Sequence, residues 1–540
     1  MHRFVLFIIA VLASSFLPAA DYYKNDRQKW LDIAAKSAPD LKYSVVRPTA
    51  VLKAVEDPSA FQGWRFEKIG KPDDIYKRNF QAEKSVILDF GRHYTGYFTF
   101  STKILKRVMD APVRLKFHFA ELPAELNTPL EPWKSSLARS WMQDEIVTIT
   151  EPNVTFAIPR RMSFRYLKIE TLSNWRGYEY ALTDMYLTAQ TSAGDVKTVP
   201  NKDCPKMISD IRRVGIETLR ECMQEVYEDG PKRDRRLWLG DMYLENLANR
   251  HSFKNFALTK RCLYLFAGTA EENGFVNPCC FEKPTPHAQH SRLIPYSLLY
   301  ISVLRDYLED TKDYQTANDL WKVAKRQMEL ALECVRPDGI FDESTRAWLF
   351  FDWRKGLDVH VSIQASCVVA LNEIRALAKE LGRESETECW KGLAEKMRAA
   401  AREKFYSPKG KVFVSGKNKQ VSVLSQAWAA LAEFADEEIC RTAITKALNS
   451  PDSVKIGTPY ATHYLVEAMI KCGMKDGARK YLEEYWGGMV KKGADTFWEA
   501  YDPNDDFFSP YGFFPANSAC HAWSCTPVYL IHEYPDIFQK

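Results

Sequence analysis

Met207-Ile208-Ser209-Asp210-Ile211-Arg212-Arg213-Val214-Gly215-Ile216-Glu217-Thr218-Leu219-Arg220-Glu221-Cys222-Met223-Gln224-Glu225-Val226 is where the chain changes its hydrophobic period. Met207, Ile208, Ile211, Val214, Leu219, Cys222, Met223 and Val226 recur near spacings of three and four, the stripe of an amphipathic helix. Upstream, from about Tyr43 to Thr188, the period is two. Val86-Ile87-Leu88-Asp89-Phe90, Tyr97-Phe98-Thr99-Phe100, Val113-Arg114-Leu115-Lys116-Phe117-His118-Phe119, Ile146-Val147-Thr148-Ile149 and Phe164-Arg165-Tyr166-Leu167-Lys168-Ile169 alternate between turn residues such as Gly91 and Gly96. Short, β-branched and aromatic runs of this kind predict an antiparallel, jelly-roll-like β-sandwich.

Downstream the helical stripe returns over Leu298–Leu308, Leu320–Cys334, Ile363–Leu381, Leu393–Phe405, Leu424–Phe434, Tyr464–Ile470 and Ala478–Tyr485. Helix after helix with no strand-rich interruption predicts paired helices closed into a toroid. An open solenoid is the competing shape, but no repeat of about 34–47 residues accompanies it. The expected organisation is a β-sandwich over residues 21–195 and a helical barrel over 196–540.

The charge balance is narrow: 74 Lys and Arg against 70 Asp and Glu leave +4 on 540 residues, which excludes a basic nucleic-acid footprint. With 46% apolar residues and no long block of like charge, the chain is globular. Aromatic residues make up 13% of it, enough to supply sugar-stacking rings as well as a core. His2 and Arg3, an apolar run from Phe4 to Leu12 and the small residues before Asp21 have the order of a secretory signal peptide over residues 1–20. The run is shorter than the roughly 20 residues of a membrane span. No later stretch is expected to span, so an exported protein, periplasmic or secreted, is expected. The twelve cysteines are irregularly spaced and are expected as buried thiols.

Two clusters carry the chemistry. Glu228-Asp229-Gly230-Pro231-Lys232-Arg233-Asp234-Arg235-Arg236-Leu237-Trp238-Leu239-Gly240-Asp241 sets three Asp, three Arg and a Trp on one turn-rich loop, with Gly230-Pro231 expected to stop the preceding helix. Glycoside cleavage needs such a set: an acid for the leaving oxygen, charges that tune it and a ring platform for the sugar. A solvated loop with local Asp–Arg pairs is the plainer reading. In Gly493-Ala494-Asp495-Thr496-Phe497-Trp498-Glu499-Ala500-Tyr501-Asp502, one carboxylate stands among three rings, where partial desolvation is expected to raise its pKa. Phe350-Phe351-Asp352-Trp353, with Trp348 before it, and His521 beside Cys520 and Trp523 are further candidates for the same cavity.

Other classes lack their marks. There is no G-x-x-x-x-G-K-[ST] loop, no G-x-G-x-x-G after a strand, no H-E-x-x-H and no G-x-S-x-G elbow. Asp502, Asn504, Asp505 and Asp506 lack the order of an EF-hand and read as a solvated turn. No metal and no cofactor is expected.

The loop Asp229-Gly-Pro-Lys-Arg-Asp234-(Arg)2-Leu-Trp238-Leu-Gly-Asp241 resembles the signature loop of the bacterial α-L-rhamnosidases of glycoside hydrolase family 78. Thr496-Phe497-Trp498-Glu499 resembles that family's second carboxylate motif, and Asn517 to Trp523 its closing helix. The resemblance spans about Val86 to Leu530. It implies an (α/α)6 barrel and inverting hydrolysis of terminal α-L-rhamnosides in an oligo- or polysaccharide. By position it implies Asp234 as general acid and Glu499 as general base. Asp229, Asp241 and His521 are implied at the sugar hydroxyls, and Trp238 on its apolar side, with Arg233 and Trp498 also in the binding set. Trp348 or Trp353 matches a further aromatic wall.

Two departures stand out. The family usually has Glu at the acid position, which leaves Glu228 and Glu245 as alternative proton donors; and the chain ends soon after the closing helix, where family members continue into a C-terminal β-sandwich. Another sugar linkage, cleaved by a toroidal hydrolase or lyase, and a non-catalytic glycan-binding relative are the alternative functions.

Overall fold

The computed structural model describes residues 21–345 and 347–540; the expected leader, residues 1–20, lies outside them. An antiparallel β-sheet domain is followed by a helical region. The chain opens with helix α1 (Arg27–Lys36), then β1 (Lys42–Val46), β2 (Ala50–Glu56), β3 (Trp64–Gly70), β4 (Ser85–Lys106) and β5 (Val113–Ala120). The short helix α2 (Pro123–Asn127) leads to β6 (Asp144–Ile149), β7 (Thr155–Ala157), β8 (Met162–Ser173) and β9 (Glu179–Thr191).

These nine strands form one hydrogen-bonded sheet of order β1-β9-β4-β8-β5-β6, with β2 and β7 attached to β4 and β3 to β2. The antiparallel strands that the sequence predicts are joined into one network by the 22-residue β4, which pairs with β2, β7, β8 and β9. Its register shifts between Asp89 and Tyr94 and again between Thr99 and Ser101. Such bulges bend a strand, so β4 pairs with β2 and β8 in its first part and with β9 and β7 further on. The inward set of the alternating runs, Phe90, Phe98, Phe100, Phe117, Phe119 and Phe164, packs in one core, with Phe90, Phe98, Phe119 and Phe164 meeting edge to face.

The helical region comprises α3 (Lys206–Cys222), α4 (Leu239–Arg250), α5 (Phe256–Gly268), α6 (Ile294–Thr311), α7 (Tyr314–Leu332), α8 (His360–Glu380), α9 (Leu393–Phe405), α10 (Val423–Leu431), α11 (Glu437–Asn449), α12 (Pro459–Lys471), α13 (Lys475–Lys491), α14 (Pro527–Glu533) and α15 (Pro535–Phe538). Between α3 and α7 lie β10 (Leu237–Trp238), β11 (Cys279–Phe281) and β12 (His287–Ala288), a small three-stranded sheet, and after α9 come β13 (Tyr406–Ser407) and β14 (Val412–Phe413), a two-stranded one. These short pairs interrupt what the periodicity reads as unbroken helix. Along the chain α4 packs on α6, α6 on α8, α8 on α10 and α10 on α12, while the 3-10 turn Ala522–Ser524 touches both α12 and α4. The remaining long helices lie against this set, and α13 returns to α3.

Helix α1 departs from the expected domain division. It precedes the sheet in sequence but packs on α5, and Tyr23, Trp30 and Ala34 belong to the helical core. Helix α8 has the length and apolarity of a membrane span, against the expectation that none follows Asp21. It is packed on α6, α7, α9 and α10, so its apolarity serves the core. Among the described residues no cysteine is bridged and no metal-ligating cluster occurs.

Candidate active site

Helix α3 ends at Cys222, eight residues before Gly230, so Gly230-Pro231 does not stop it as the sequence suggests. The loop beyond it is clasped by Asp229. Its carboxylate accepts the backbone N–H groups of Asp234 and Arg236, each at 3.0 Å, and its own N–H donates to the Arg236 carbonyl at 3.0 Å. Such a carboxylate-to-backbone clasp fixes a turn without a helix or sheet. Gly230 is needed there because a Cβ would stand 2.5 Å from the Arg233 carbonyl oxygen and 3.0 Å from Ser518 Oγ. The chain then enters β10, where Trp238 pairs with Cys279, and turns into α4 with Asp241 in the first turn.

The loop closes one side of an open pocket. Asp229, Arg233, Asp234, Trp238, Asp241, Trp348, Trp353, Glu499 and His521 all line it. Leu293, Tyr296 and Tyr511, which the sequence did not single out, complete the wall with Phe350 and Trp523 of the candidate clusters. Phe350 lies parallel to Trp523, centroids 6.1 Å apart, and edge-on to Trp353 at 4.7 Å. Trp348 stands at the rim, 41% exposed. Tyr511 carried one weak signal, an aromatic in the turn Ser509-Pro510-Tyr511-Gly512.

Trp498, expected at the sugar, is turned away. It is buried against Phe61 of the sheet domain, rings stacked at 4.4 Å, and lines a different cavity. The two alternative proton donors also stand elsewhere. Glu228 is held by Arg161 at 2.6 and 2.8 Å, and Glu245 is fully buried in α4 with neither carboxyl oxygen partnered. Burial, with Asp241 and Asp229 nearby, pushes the Glu245 pKa well up. Asp352 accepts from Gly457 N–H and Thr458 Oγ at the start of α12. Asp502 pairs with Arg354 at 2.8 Å and turns back onto Asp505.

Glu499 is buried and fully engaged. One oxygen accepts from Arg233 Nη2 and from Ser518 N–H at 3.1 Å, and the other from the Tyr511 hydroxyl. Burial alone would raise its pKa, as the sequence predicts, but Arg233, His521, Tyr511 and the Ser518 N–H outweigh it and hold the carboxyl below its usual value. Asp234 is 20% exposed, with Arg233 Nη1 at 3.7 Å and Arg236 Nη1 at 3.8 Å. The two carboxyls therefore occupy the two arms of one guanidinium.

Asp229 is pushed up by burial and by the neighbouring Asp234. Asp241 is pushed up by burial too, and faces His521 Nε2 at 3.2 Å. Burial would discharge His521, but Glu499 and Asp241 raise its pKa. His521 Nδ1 and Trp353 Nε1 are buried without a hydrogen-bond partner in the protein. Orphaned polar atoms are uncommon in folded interiors, and their convergence on one cavity suits a ligand rich in hydroxyls. The closing helix expected over Asn517–Trp523 is an irregular, bent segment that ends in the Ala522–Ser524 turn.

An ionised carboxylate opposite a second, open one, in a cup walled by indoles, is equipped to cleave a bond between sugars, and the protein is a glycoside hydrolase. Residues 48–189 match the N-terminal domain of glycosyl hydrolase family 78 α-rhamnosidases, and residues 204–534 the bacterial α-L-rhamnosidase 6-hairpin glycosidase domain. The chain belongs to glycoside hydrolase family 78. It is similar, at 37% identity and a TM-score of 0.91 over 94% of its own length and 99% of the other's, to a rhamnosidase from Klebsiella oxytoca with rhamnose bound. The fold is also that of the family 78 rhamnosidase of Bacillus sp. GL1, at 20% identity and a TM-score of 0.70, matching 87% of this chain and 49% of that one. The α-L-rhamnosidase of Streptomyces avermitilis complexed with L-rhamnose shares it at 14% identity and a TM-score of 0.63, over 92% of this chain and 44% of that one. The search of curated proteins found no match.

Proposed function

We propose that the protein is an exported α-L-rhamnosidase that removes terminal rhamnose from a glycan with inversion, in an (α/α)6 barrel. The barrel is supported by the cyclic packing of α4, α6, α8, α10 and α12 back onto the Ala522–Ser524 turn. Rhamnose as the sugar rests on the full-length similarity to the rhamnose-bound Klebsiella protein. The mechanism rests on one observation above all: Glu499 and Asp234 are set apart on two arms of Arg233.

In this reading Glu499 takes a proton from water as the water oxygen bonds to the anomeric carbon. The glycosidic C–O bond breaks, and Asp234 gives its proton to the departing oxygen. Inversion needs a gap of roughly 6.5–9.5 Å between the carboxyls to admit that water. Glu499 suits the base because its surroundings favour the ionised form. Asp234 is assigned as the acid by its place: it lines the cavity, and the guanidinium groups of Arg233 and Arg236 stand no nearer than 3.7 Å. Asp229, Asp241 and His521 hold sugar hydroxyls, Trp238, Trp348 and Trp353 cover the apolar side, and Arg233 orients the base.

Glu499→Gln and Asp234→Asn are each expected to lower kcat on an aryl α-L-rhamnoside by about 10²–10⁴-fold in a protein that still folds. Full turnover by the Asp234→Asn protein removes Asp234 from the reaction. The same assay over a panel of terminal sugars tests the choice of rhamnose, and the anomer first released, read by NMR, tests inversion.

A further inference from the structure

The loop that carries Asp234 also carries Lys232, which is 1% exposed and faces away from the sugar cavity into the seam between the domains. Its Nζ donates to Glu125 Oε2 at 2.9 Å and to the carbonyls of Pro515 and Asn517 at 3.1 and 3.0 Å, with Glu121 Oε2 at 3.4 Å. Both carboxylates belong to the sheet domain, Glu121 just after β5 and Glu125 within α2, and both are buried. Burial opposes the Lys232 charge, but Glu125 and Glu121 outweigh it and raise its pKa.

The same few residues reach Glu499 by two short routes. Next to Lys232, Arg233 donates Nε to the Ala516 carbonyl at 2.6 Å and Nη2 to Glu499. Glu121 Oε2 accepts the Ala519 N–H at 2.6 Å, one residue from the Ser518 N–H that donates to Glu499 at 3.1 Å. Glu121 Oε1 meets His93 Nε2 at 3.1 Å, and His93 N–H donates to Asp495 at the head of the Glu499 segment at 2.8 Å. The loop 228–236 and the segment 515–519 are thus fastened together by a cation that only the sheet domain neutralises.

We propose that Glu121 and Glu125 of the sheet domain are positioning residues for hydrolysis: through Lys232 they fix where Arg233 holds Glu499 relative to Asp234. Neither touches the sugar cavity. Their task is geometric. Displacing a reacting group by about 1 Å can cost about 10²-fold in rate, and a loop pinned only at its surface would not hold that tolerance. The proposal rests on the assignment of Glu499 and Asp234 to catalysis.

The test uses Glu125→Gln, Glu121→Gln, Lys232→Met and the double variant Lys232→Met/Glu125→Gln of the full chain, assayed on an aryl α-L-rhamnoside. Each single variant is expected to lower kcat about 10- to 100-fold with KM changed less than about threefold. Since Arg233 then holds Glu499 less firmly, the acid limb of the kcat/KM profile moves to higher pH. Losses in the double variant are smaller than the product of the single ones, because residues of one network are not additive, and Glu125→Asp recovers part of kcat. Glu125→Gln keeps the shape of the site and serves if Lys232→Met fails to fold. Thermal midpoints and L-rhamnose affinity by calorimetry accompany every variant. Folded Glu125→Gln and Glu121→Gln proteins with wild-type kcat and an unmoved acid limb overturn the proposal. Retained activity in Glu499→Gln overturns the catalytic assignment instead, so the two failures are told apart.

Discussion

Glu499 gathers three donors from three places in the chain: Arg233, 266 residues upstream, Tyr511, 12 downstream, and Ser518, 19 downstream. Its motif makes the residue legible, but the direction of its pKa depends on partners that only folding assembles, and reading the flanking rings as the decisive influence gives the opposite sign. Trp498 fails for a reason of packing: its indole stacks on Phe61 of the sheet domain, away from the cavity that Glu499 lines. Asp234, Trp238 and Asp241 were legible because loop, β10 and the first turn of α4 follow one another without a break. Tyr511→Phe removes one donor that stabilises the ionised Glu499. The acid limb of kcat/KM on a rhamnoside should therefore shift to higher pH, since a base whose pKa rises is protonated earlier as pH falls. An unchanged limb would show that Tyr511 does not bear on the titrating group.

At the scale of elements, the long helices were found from their stripes, and Leu393–Phe405 to the residue. Helices α1, α4, α5, α11 and α14 were passed over; α4 and α5 are buried on nearly every side and leave little polar face to define a stripe. No sequence repeat marks the region, yet a device recurs. Gln327 in α7, Gln364 in α8 and Gln426 in α10 each accept a backbone N–H from an earlier segment, those of Val276, Phe341 and, in β14, Phe413, and each donates to a carbonyl of that segment. A single residue per unit is too sparse to show as periodicity. Where α4 meets α6, Gly240 lies directly against the Tyr296 ring, and any Cβ there would overlap it. Gly240→Ala should cost about 1–3 kcal/mol of stability from overpacking, measured by urea unfolding. It should also impair turnover, because Tyr296 is a wall of the cavity; a stable, fully active variant would show that α4 and α6 can part without disturbing the site.

For the whole molecule, the change of period at residue 207 announces two domains but says nothing of how they are joined. The joint is polar and buried. Burial disfavours the charged form of His93, but Cys520, Glu121 and Glu221 outweigh it and its pKa is raised to about 9. A folded-state pKa above the ordinary value of about 6.5 stabilises the fold fully below that pH and is lost as pH climbs through about 9. The thermal midpoint should therefore fall between pH 6.5 and 9, with a single transition for both domains in calorimetry. His93→Gln should flatten that slope; an equal slope in the variant would place the titration elsewhere. The joint also bears on inheritance. A recombination breakpoint at the apparent boundary near residue 200 would pair one relative's Glu121 and Glu125 with another's Lys232, and any offspring lacking one partner would carry an uncompensated charge in its interior. Exchange of sheet domains is then expected to succeed where both parents carry the Glu121, Glu125 and Lys232 set, or where residues 228–236 and 515–519 travel with the sheet domain.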